Sequence, residues 1–288
     1  MLGSFHDAEE VVQDVLMNAW KARESYTGAA PFRHWLLRIA TNACLNAQRA
    51  SRVRLVPRRG APTAGDAPIG VPVDPDGWIT AAPDHALFGS EPERDAGKVL
   101  EERERVALAF IGLLQQLPPR QRAVLLLKDV VDFSVEEIGD ALEMSTAAVS
   151  SALHRAREAM PARADECCER APSPEALREY IRCWEMRDLD GLLALLRSDV
   201  VLSMPPWPIW YEGRASVKAF ITTKGFTTFW SSGLRLVPTS ANGRAAVLFY
   251  RDKGEVLHSV QVLGFDGTSF TEMCNLIGSP FLYGFESS

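Results

Sequence analysis

The chain has 288 residues and a formal net charge of -6, so it is long enough for two domains, and any contact with DNA must come from local basic patches. The cysteines have no CxxC spacing, and the histidines do not cluster. Both observations favour reduced thiols over a disulfide framework or a zinc site. No apolar run reaches the roughly 18 residues that span a bilayer, and no signal-peptide pattern opens the chain. We therefore expect a soluble, cytoplasmic protein without membrane contact, cofactor or metal.

The first predicted helix covers residues 7–20 and begins at a capping signature, Asp7 followed by Glu10. Apolar residues recur along one side at helical spacing: Val11, Val12, Val15, Leu16, Ala19 and Trp20. The other side carries Glu9, Gln13, Asp14 and Asn18. This polar side is either a docking surface for a partner helix or a face that is merely solvated.

A second helix follows Pro31, a residue that suits the first helical turn. Its predicted core face consists of Phe32, Trp35, Leu36, Ile39, Ala40 and Ala43. Its other face consists of His34, Arg38, Thr41, Asn42, Asn46 and Arg49. Because residues 25–65 contain arginine but no acidic residue, this face is a candidate for contacts with bases and phosphates. Tyr26, in the preceding loop, is the candidate for stacking on an unpaired base.

Residues 51–98 are rich in Pro, Gly and Ala and lack periodicity, which predicts an extended linker rather than a packed element. Trp78, Ile79, Leu87 and Phe88 are unusual in a passive spacer. They suggest that the linker docks on another part of the protein. Helical periodicity resumes over residues 99–116, stops at Pro118 and Pro119, and resumes again over residues 120–131.

Residues 134–157 have the pattern of a helix-turn-helix. Ser134 and Glu137 form a capping box at the start of the first helix. Gly139 is costly inside a helix, so its presence suggests a close approach by another helix. Ser145 or Thr146 can cap the second helix. The exposed side of that helix offers Ala147, Ser150, Ser151, His154, Arg155 and Glu158, and the buried side offers Val149, Leu153 and Ala156. The small, polar and basic side suits a major groove; the alternative is an ordinary helical hairpin inside an all-helical core.

The sequence pattern after residue 172 predicts an α+β domain. Leu177, Tyr180, Ile181 and Trp184 share one helical face, and Asp188 or Asp190 starts a short second helix. Strand-like runs follow at residues 200–204, 234–239, 245–250, 256–265 and 269–277. Turn signals Asn242-Gly243, Lys253-Gly254 and Asp266-Gly267 separate the later runs, which predicts a meandering antiparallel sheet.

The segments DAEEVVQDVLMNAW, PFRHWLLRIATNACLN and LPPRQRAVLLLKDVVDFSVEEIGDALEMSTAAVSSALHRAR resemble regions 2 and 4 of extracytoplasmic-function (ECF) sigma factors. The resemblance implies that the first helix docks on the clamp of the RNA polymerase β′ subunit through Glu9, Gln13, Asp14 and Asn18. It implies contacts with the minus-10 promoter element from Tyr26, Arg33, His34, Arg38, Asn42, Asn46 and Arg49. It implies contacts with the minus-35 element from Ser145, Thr146, Ser150, Ser151, His154, Arg155 and Arg157. The linker would thread toward the polymerase active centre. In the family a further helix of region 2 precedes the segment that begins here at Met1, so either the protein starts upstream of Met1 or region 2 is incomplete and binds polymerase more weakly.

The passage DVVLSMPPWPIWYEGRASVKAFI and the order of helices and strands around it resemble the SnoaL-like branch of the NTF2-like cone fold. Such a cone encloses a pocket, whose candidate lining residues are Tyr180, Trp184, Met204, Trp207, Trp210, Phe249, His258 and Met273. Some members of the superfamily are cyclases or isomerases. Asp199, His258 or Glu272 with Tyr180 could serve such chemistry, although nothing in their spacing requires a shared site.

These patterns predict a multidomain protein with two all-α sigma domains followed by an α+β NTF2-like cone. The predicted domains are region 2 over residues 1–50, the linker over 51–98, region 4 over 99–165 and the cone over 172–288. The predicted function is promoter recognition with core RNA polymerase, regulated by the cone, without covalent chemistry. Candidate further partners are an anti-sigma factor and a small apolar ligand. The alternatives are a helix-turn-helix regulator that acts without polymerase and a SnoaL-like enzyme in residues 172–288.

Overall fold

The computed structural model describes residues 1–50, 54–58, 60–89, 108–160, 170–225 and 233–285; for residues 49, 50, 109, 224 and 225 it describes only the backbone. The described chain forms two compact units. Residues 1–54 and 109–160 belong to the first, and residues 55–89 and 170–285 belong to the second. The predicted helix start at Val99 and part of the predicted linker lie outside the described residues.

The first unit opens with two helices, α1 (Phe5–Lys21) and α2 (Phe32–Ala50). The cap of α1 is Ser4, whose hydroxyl oxygen accepts a hydrogen bond from the Asp7 backbone N–H at 3.2 Å. The predicted cap at Asp7 was therefore wrong by one helical turn, because Asp7 occupies the third helical position and its carboxylate accepts the Ser4 hydroxyl. Val11, Val15 and Ala19 are the residues of α1 that become buried.

In the described residues, four further helices complete the first unit: α4 (Leu108–Gln116), α5 (Pro119–Asp129), α6 (Val135–Leu142) and α7 (Thr146–Ala159). The short helix α3 (Asp84–Phe88) belongs to the second unit. The predicted capping box at Ser134 and Glu137 is present, and Ser145 caps α7. The buried core of these helices includes Leu114, Leu117, Val124, Leu127, Phe133, Ile138, Val149, Leu153 and Ala156. The predicted helix-turn-helix, α6 and α7, is thus part of a larger helical core.

The turn between α6 and α7 explains the glycine inside α6. Glu143 ends α6 in the left-handed backbone region with φ 55°, which folds the chain back over the helix. A Cβ atom at Gly139 would lie 2.7 Å from the Met144 carbonyl oxygen. The predicted close approach is therefore real, but the neighbour is the backbone of the turn rather than a second helix.

Besides the short helix α3, the described residues of the second unit form three longer α-helices and one six-stranded sheet. The helices are α8 (Pro174–Met186), α9 (Leu189–Leu195) and α10 (Gly213–Phe220). The strands are β1 (Leu196–Ser203), β2 (Trp210–Glu212), β3 (Arg235–Ala241), β4 (Arg244–Arg251), β5 (Val256–Phe265) and β6 (Phe270–Ile277). Their order in the sheet is β2-β1-β6-β5-β4-β3.

The sheet is mixed rather than a simple antiparallel meander, because β1 pairs with β6 in parallel. The predicted hairpins from β3 to β6 are antiparallel neighbours as expected. Asn242 and Gly243, like Lys253 and Gly254, have positive φ angles at the predicted turns. The parallel pairing escaped sequence analysis because it joins strands that are far apart in the chain, whereas turn signals report only on adjacent strands.

The helices cover one face of the sheet. Tyr180, Leu192 and Val217 from the helices share one buried cluster with Val247, Leu263 and Met273 from the strands. Side chains alternate between the two faces along a strand, so neighbouring residues of these strands point to the opposite face. That second face is also buried, as its side chains Ala246, Leu248, Val260, Val262 and Leu276 show.

Residues 55–89 are packed onto this unit, so the prediction of an extended, unpacked linker was wrong. The segment includes the short helix α3 (Asp84–Phe88), and Trp78 and Ile79 are each 1% exposed. The Thr63 backbone N–H donates to the Trp210 carbonyl at one edge strand, and the Asn242 N–H donates to the Ala82 carbonyl beside the other. The segment therefore runs from one edge of the sheet to the other. Trp78 and Ile79, whose presence in the linker suggested docking, are buried in this contact.

Candidate nucleic-acid interface

The recognition helix α7 presents every predicted minus-35 residue to solvent. These exposed residues are Ser145, Thr146, Ser150, Ser151, His154, Arg155 and Arg157. The buried side of α7, including Val149 and Ala156, fixes the rotation of the helix against α5 and α6. The exposed face of α7 is consequently a continuous polar and basic surface of the size that a major groove accepts.

Two arginines of α7 differ in their surroundings. The Arg155 guanidinium donates to the Ser151 hydroxyl at 2.5 Å, one helical turn away. The Arg157 guanidinium donates to both carboxylate oxygens of Asp129 on α5, with the shorter distance 2.6 Å. The hydrogen bond with Asp129 raises the pKa of Arg157. Arg155 thus stays available at the surface, whereas Arg157 ties α7 to α5.

The polar face of α2 is exposed at Arg33, Arg38, Asn42 and Asn46. The side chain of Arg49 lies outside the described residues. His34 differs from these residues, because its Nδ1 atom lies 2.8 Å from a Glu137 carboxylate oxygen of α6 and its ring lies 4.3 Å from that of Phe133. The structure therefore places one predicted minus-10 residue against the helix-turn-helix.

Tyr26, in the loop before α2, forms an aromatic cluster with Phe32 and Trp35 of the first turn of α2, with ring centroids 5.4 to 5.7 Å apart. Tyr26 also donates its hydroxyl to the Ala30 carbonyl at 3.0 Å. Phe32 was predicted to be a core residue, but its side chain is 56% exposed. Phe32 is the first residue of α2, and its ring packs on Tyr26 and Trp35 at the surface rather than in the core.

The predicted polymerase-binding residues lie on α1, where Gln13, Asp14 and Asn18 are exposed and Glu9 is half-buried. The predicted apolar side of α1 is divided in two. Its exposed part, Val12, Leu16 and Trp20, forms a ridge one helical turn apart, with Met17 exposed beside it. The sequence placed Val12, Leu16 and Trp20 on the same apolar side as Val11 and Val15, and helical spacing alone does not show which part of that side is buried.

Five of the predicted pocket residues lie in the core of the second unit: Tyr180, Trp184, Met204, Phe249 and Met273. Trp207 packs against the same cluster. The Tyr180 hydroxyl donates to Gln261 Oε1 at 2.5 Å, and burial raises the pKa of Tyr180. The interior of the cone therefore contains a buried polar pair among aromatic residues, and Gln261 was missing from the predicted set.

Of the other two predicted pocket residues, Trp210 points away from this interior. Trp210 pairs with Ser203 while its neighbour Tyr211 pairs with the core residue Leu202, so alternation turns Trp210 to the second face of the sheet. His258 lies at the bulge between the Phe249–Ser259 and Tyr250–Leu257 pairs, so strand alternation does not fix the direction of its side chain. Burial, with a contribution from Arg251, lowers the pKa of His258 to about 4. The predicted pocket residues thus divide into those in the core of the second unit and Trp210 on the opposite face of the sheet.

The candidate acid-base residues are not assembled around Tyr180. Asp199 is paired with Arg197 at 2.5 Å, and hydrogen bonding to Arg197 lowers the pKa of the Asp199 carboxyl. Glu272 immediately precedes Met273, so it points to the face opposite the core. The described geometry gives the enzyme hypothesis no shared site for a base and Tyr180.

Membrane and metal features can be judged over the described ranges. No helix there is both long and apolar enough to cross a membrane. In the same part of the chain, histidine, cysteine and acidic side chains do not gather into a group of three or more that could hold a metal ion.

Comparison with known proteins identifies the helical parts. The family model for Sigma-70 region 2 matches residues 1–54, and that for Sigma-70 region 4 matches residues 100–160. The ECF RNA polymerase sigma factor SigG of Mycobacterium tuberculosis is 39% identical over 265 residues, which cover 89% of this chain and 70% of SigG. SigW of Bacillus subtilis is 28% identical over 169 residues, covering 56% of this chain and 76% of SigW.

The crystal structure of the Mycobacterium tuberculosis ECF sigma factor SigJ has a similar fold, with a TM-score of 0.57 and 19% sequence identity, over 98% of this chain and 91% of that chain. The predicted fold class, two all-α sigma domains followed by an α+β NTF2-like domain, is confirmed. The match to SigG covers enough of both chains to decide the family. This protein belongs to the ECF family of RNA polymerase sigma factors, which direct core polymerase to promoters.

Proposed function

We propose that the NTF2-like domain regulates this sigma factor by holding the segment that connects region 2 to region 4. The observation that carries the proposal is the packing of residues 55–89 on that domain. The resemblance predicted that this segment threads toward the polymerase active centre. A segment that is folded onto the sheet of its own protein cannot occupy that path at the same time.

The charged anchor of this segment is Glu272 on β6. One Glu272 oxygen lies 2.8 Å from the Arg58 guanidinium, and the other lies 3.0 Å from that of Arg244. Burial alone would raise the pKa of Glu272, but the two arginines outweigh it and hold the pKa below the usual value. Arg58 belongs to the linker, so this carboxylate ties the linker to the sheet.

A second anchor depends on shape. A Cβ atom at Gly65 would lie 2.6 Å from the Ser216 carbonyl oxygen and 2.7 Å from the Ala219 side chain. The linker backbone therefore lies directly against α10, at a distance that only glycine permits. Further on, the Val73 N–H donates to the Pro206 carbonyl at 2.9 Å.

Docking shortens the reach of the linker. Residues 55–89 would span at most about 120 Å if fully extended. Promoter elements about 25 base pairs apart are separated by roughly 85 Å along B-DNA. Holding this segment on the NTF2-like domain thus withdraws most of the chain length that can separate region 2 from region 4.

We propose that promoter DNA contacts the exposed faces of α7 and α2 and that core polymerase contacts the exposed face of α1. The minus-35 element binds α7 through Ser150, Ser151 and Arg155, and the minus-10 element binds α2 through Arg38 and Asn42. Core polymerase docks on α1 at the predicted polar residues and the exposed apolar ridge beside them. An anti-sigma factor is a further candidate partner of these surfaces.

The NTF2-like domain is proposed to act by binding rather than by covalent chemistry. Its candidate effector is a small apolar molecule that contacts Trp184, Met204 and Trp207 and is oriented by the Tyr180–Gln261 pair. Because its partners are core polymerase and promoter DNA, the protein is proposed to work in the bacterial cytoplasm.

The linker proposal is tested with Glu272→Gln and Gly65→Val, which disturb the two anchors in different ways. We expect both variants to make Arg58 more sensitive to trypsin, since the linker spends more time undocked. With purified core polymerase on a promoter library, run-off initiation should rise severalfold in both variants.

Gly77→Ala is the matched control, because a Cβ atom there meets nothing within 4 Å. It should leave both the trypsin sensitivity and the initiation rate unchanged. A linker that becomes accessible in both anchor variants without any change in initiation would refute regulation through the linker, while the sigma function itself would stand.

A further inference from the structure

Region 2 and region 4 pack against each other in the first unit. The contact involves His34, which was predicted to contact the minus-10 promoter element. On α2, His34 lies 2.8 Å from Glu137 and beside Phe133. Leu37 and Leu45, further along the same side of α2, pack against the region 4 core. Positions 34, 37, 41, 45 and 48 share one helical stripe, so a whole side of α2 faces region 4.

The Glu137 carboxylate has two roles in this contact. One oxygen accepts the Ser134 backbone N–H at 2.8 Å and so completes the capping box of α6. The other faces His34 of α2. The hydrogen bond from Ser134, with a smaller contribution from His34, lowers the pKa of Glu137. The same carboxylate thereby starts the helix-turn-helix and holds it to region 2.

A buried arginine adds a second link between the regions. Arg122 of α5 is 4% exposed and donates to the Gln115 side chain at 2.8 Å and to the Leu117 carbonyl at 3.2 Å. It also donates to the Met1 carbonyl in region 2. A buried cation needs such acceptors, so the region 2 backbone helps to satisfy a charge that belongs to region 4.

The closed arrangement is incompatible with simultaneous use of both promoter elements. A compact body of roughly 110 residues has a radius of gyration of about 13 Å. Two elements about 25 base pairs apart lie roughly 85 Å from each other. The recognition helix α7 directly follows α6. While α2 contacts α6, α7 therefore stays close to α2 and cannot reach the minus-35 element when α2 is bound at the minus-10 element.

We propose that the contact of His34 with Phe133 and Glu137, here called the α2–α6 latch, holds the free sigma factor in an autoinhibited, closed state. Core polymerase opens this state by separating region 2 from region 4. His34 is then a residue of the latch rather than a contact with the minus-10 element. The inference rests on the proposed promoter-facing roles of α2 and α7, whereas closure itself is measurable without DNA.

The decisive variant is His34→Ala in the full chain, because the two roles of His34 predict opposite signs. A lost promoter contact lowers initiation, whereas a lost latch raises it. We expect initiation and the rate of association with core polymerase to rise roughly two- to fivefold, the range expected for the loss of one partly exposed polar side-chain contact. Hydrogen exchange of residues 33–42 and 134–142 in the free protein should accelerate.

A charge cycle separates latch opening from loss of fold. His34→Glu places a second carboxylate beside Glu137 and should open the latch further than His34→Ala. Adding Glu137→Gln removes the repulsion, and glutamine still completes a capping box, so the double variant should recover slow exchange. Glu136→Gln, an exposed neighbour on the same helix, should behave as the unmodified protein.

Two results would overturn the latch. One is His34→Ala lowering initiation with hydrogen exchange unchanged, which would return His34 to the promoter. The other is an identical exchange profile in His34→Glu and the unmodified protein. Initiation that fails in every protein, including the unmodified one, would instead challenge the promoter assignments, because the exchange measurements report closure independently.

Discussion

At the scale of single residues, two arginines that look equivalent in sequence have different surroundings. Arg155 and Arg157 were both predicted to contact the minus-35 element. Arg155 is held by Ser151 on the exposed face of α7, while Arg157 forms a two-pronged pair with Asp129. An arginine that is already paired must give up that partner before it can bind a phosphate. The structure therefore favours Arg155 as the DNA contact.

The prediction is that Arg155→Ala weakens promoter binding by the holoenzyme at all sequences and reduces the slope of log affinity against log salt by about one. Arg157→Ala should leave that slope nearly unchanged and cost about 0.5 kcal/mol of stability, since the pair is exposed. Filter binding between low and moderate salt measures the slope. A slope that changes with Arg157→Ala but not with Arg155→Ala would reverse the assignment.

At the scale of elements, the helix-turn-helix depends on the fit between α6 and its turn. Gly139 leaves room for the Met144 carbonyl, and Glu143 adopts a left-handed conformation to bring that carbonyl back. Gly139 is recognisable as unusual in the sequence because glycine has a poor helix propensity. The identity of the neighbour required the turn geometry.

We predict that Gly139→Ala destabilises region 4 by about 1 to 3 kcal/mol through overpacking, even though alanine is the better helix former by roughly 1 kcal/mol. Hydrogen exchange of residues 135–159 should accelerate, and use of the minus-35 element should fall with it. Asp140→Ala is the matched control, because Asp140 is exposed and gains only helix propensity. Equal stability of the two variants would show that the turn adapts without cost.

At the scale of the whole molecule, the chain is organised by two separate cores. Leu127 belongs to the core of the helical unit, and Leu192 belongs to the core of the unit that contains the sheet. The linker is part of the second unit, although it lies between the two sigma regions in the chain. Regulation through the linker would therefore act across a boundary between two independently packed bodies.

We predict two calorimetric unfolding transitions for the full chain. Leu127→Ala and Leu192→Ala each remove a leucine side chain that is at most 3% exposed, which should cost about 2 to 5 kcal/mol in its own unit. Each substitution should lower one transition and leave the other in place. A single transition that both variants lower equally would mean that the two cores unfold as one cooperative unit.

The sequence by itself determined the features that depend on neighbours in the chain. The capping box at Ser134, the order of the helices and the turns after β3 and β4 follow from hydrogen bonds and backbone preferences within a few residues, and they were predicted correctly. The exposed face of α7 was also predictable, because helical periodicity separates its buried side from its polar side.

The tertiary structure alone decided which surfaces meet. It divided the apolar residues of α1 into Val15 in the core and Leu16 at the surface, placed His34 against Glu137, and paired β1 with β6 in parallel. It also folded the linker onto the sheet through Gly65 and Glu272. Helical or strand periodicity shows which apolar and polar side chains share a face of an element. Which face is buried and which strands pair depend on partners that are distant in sequence, so burial and pairing follow only from the packed chain.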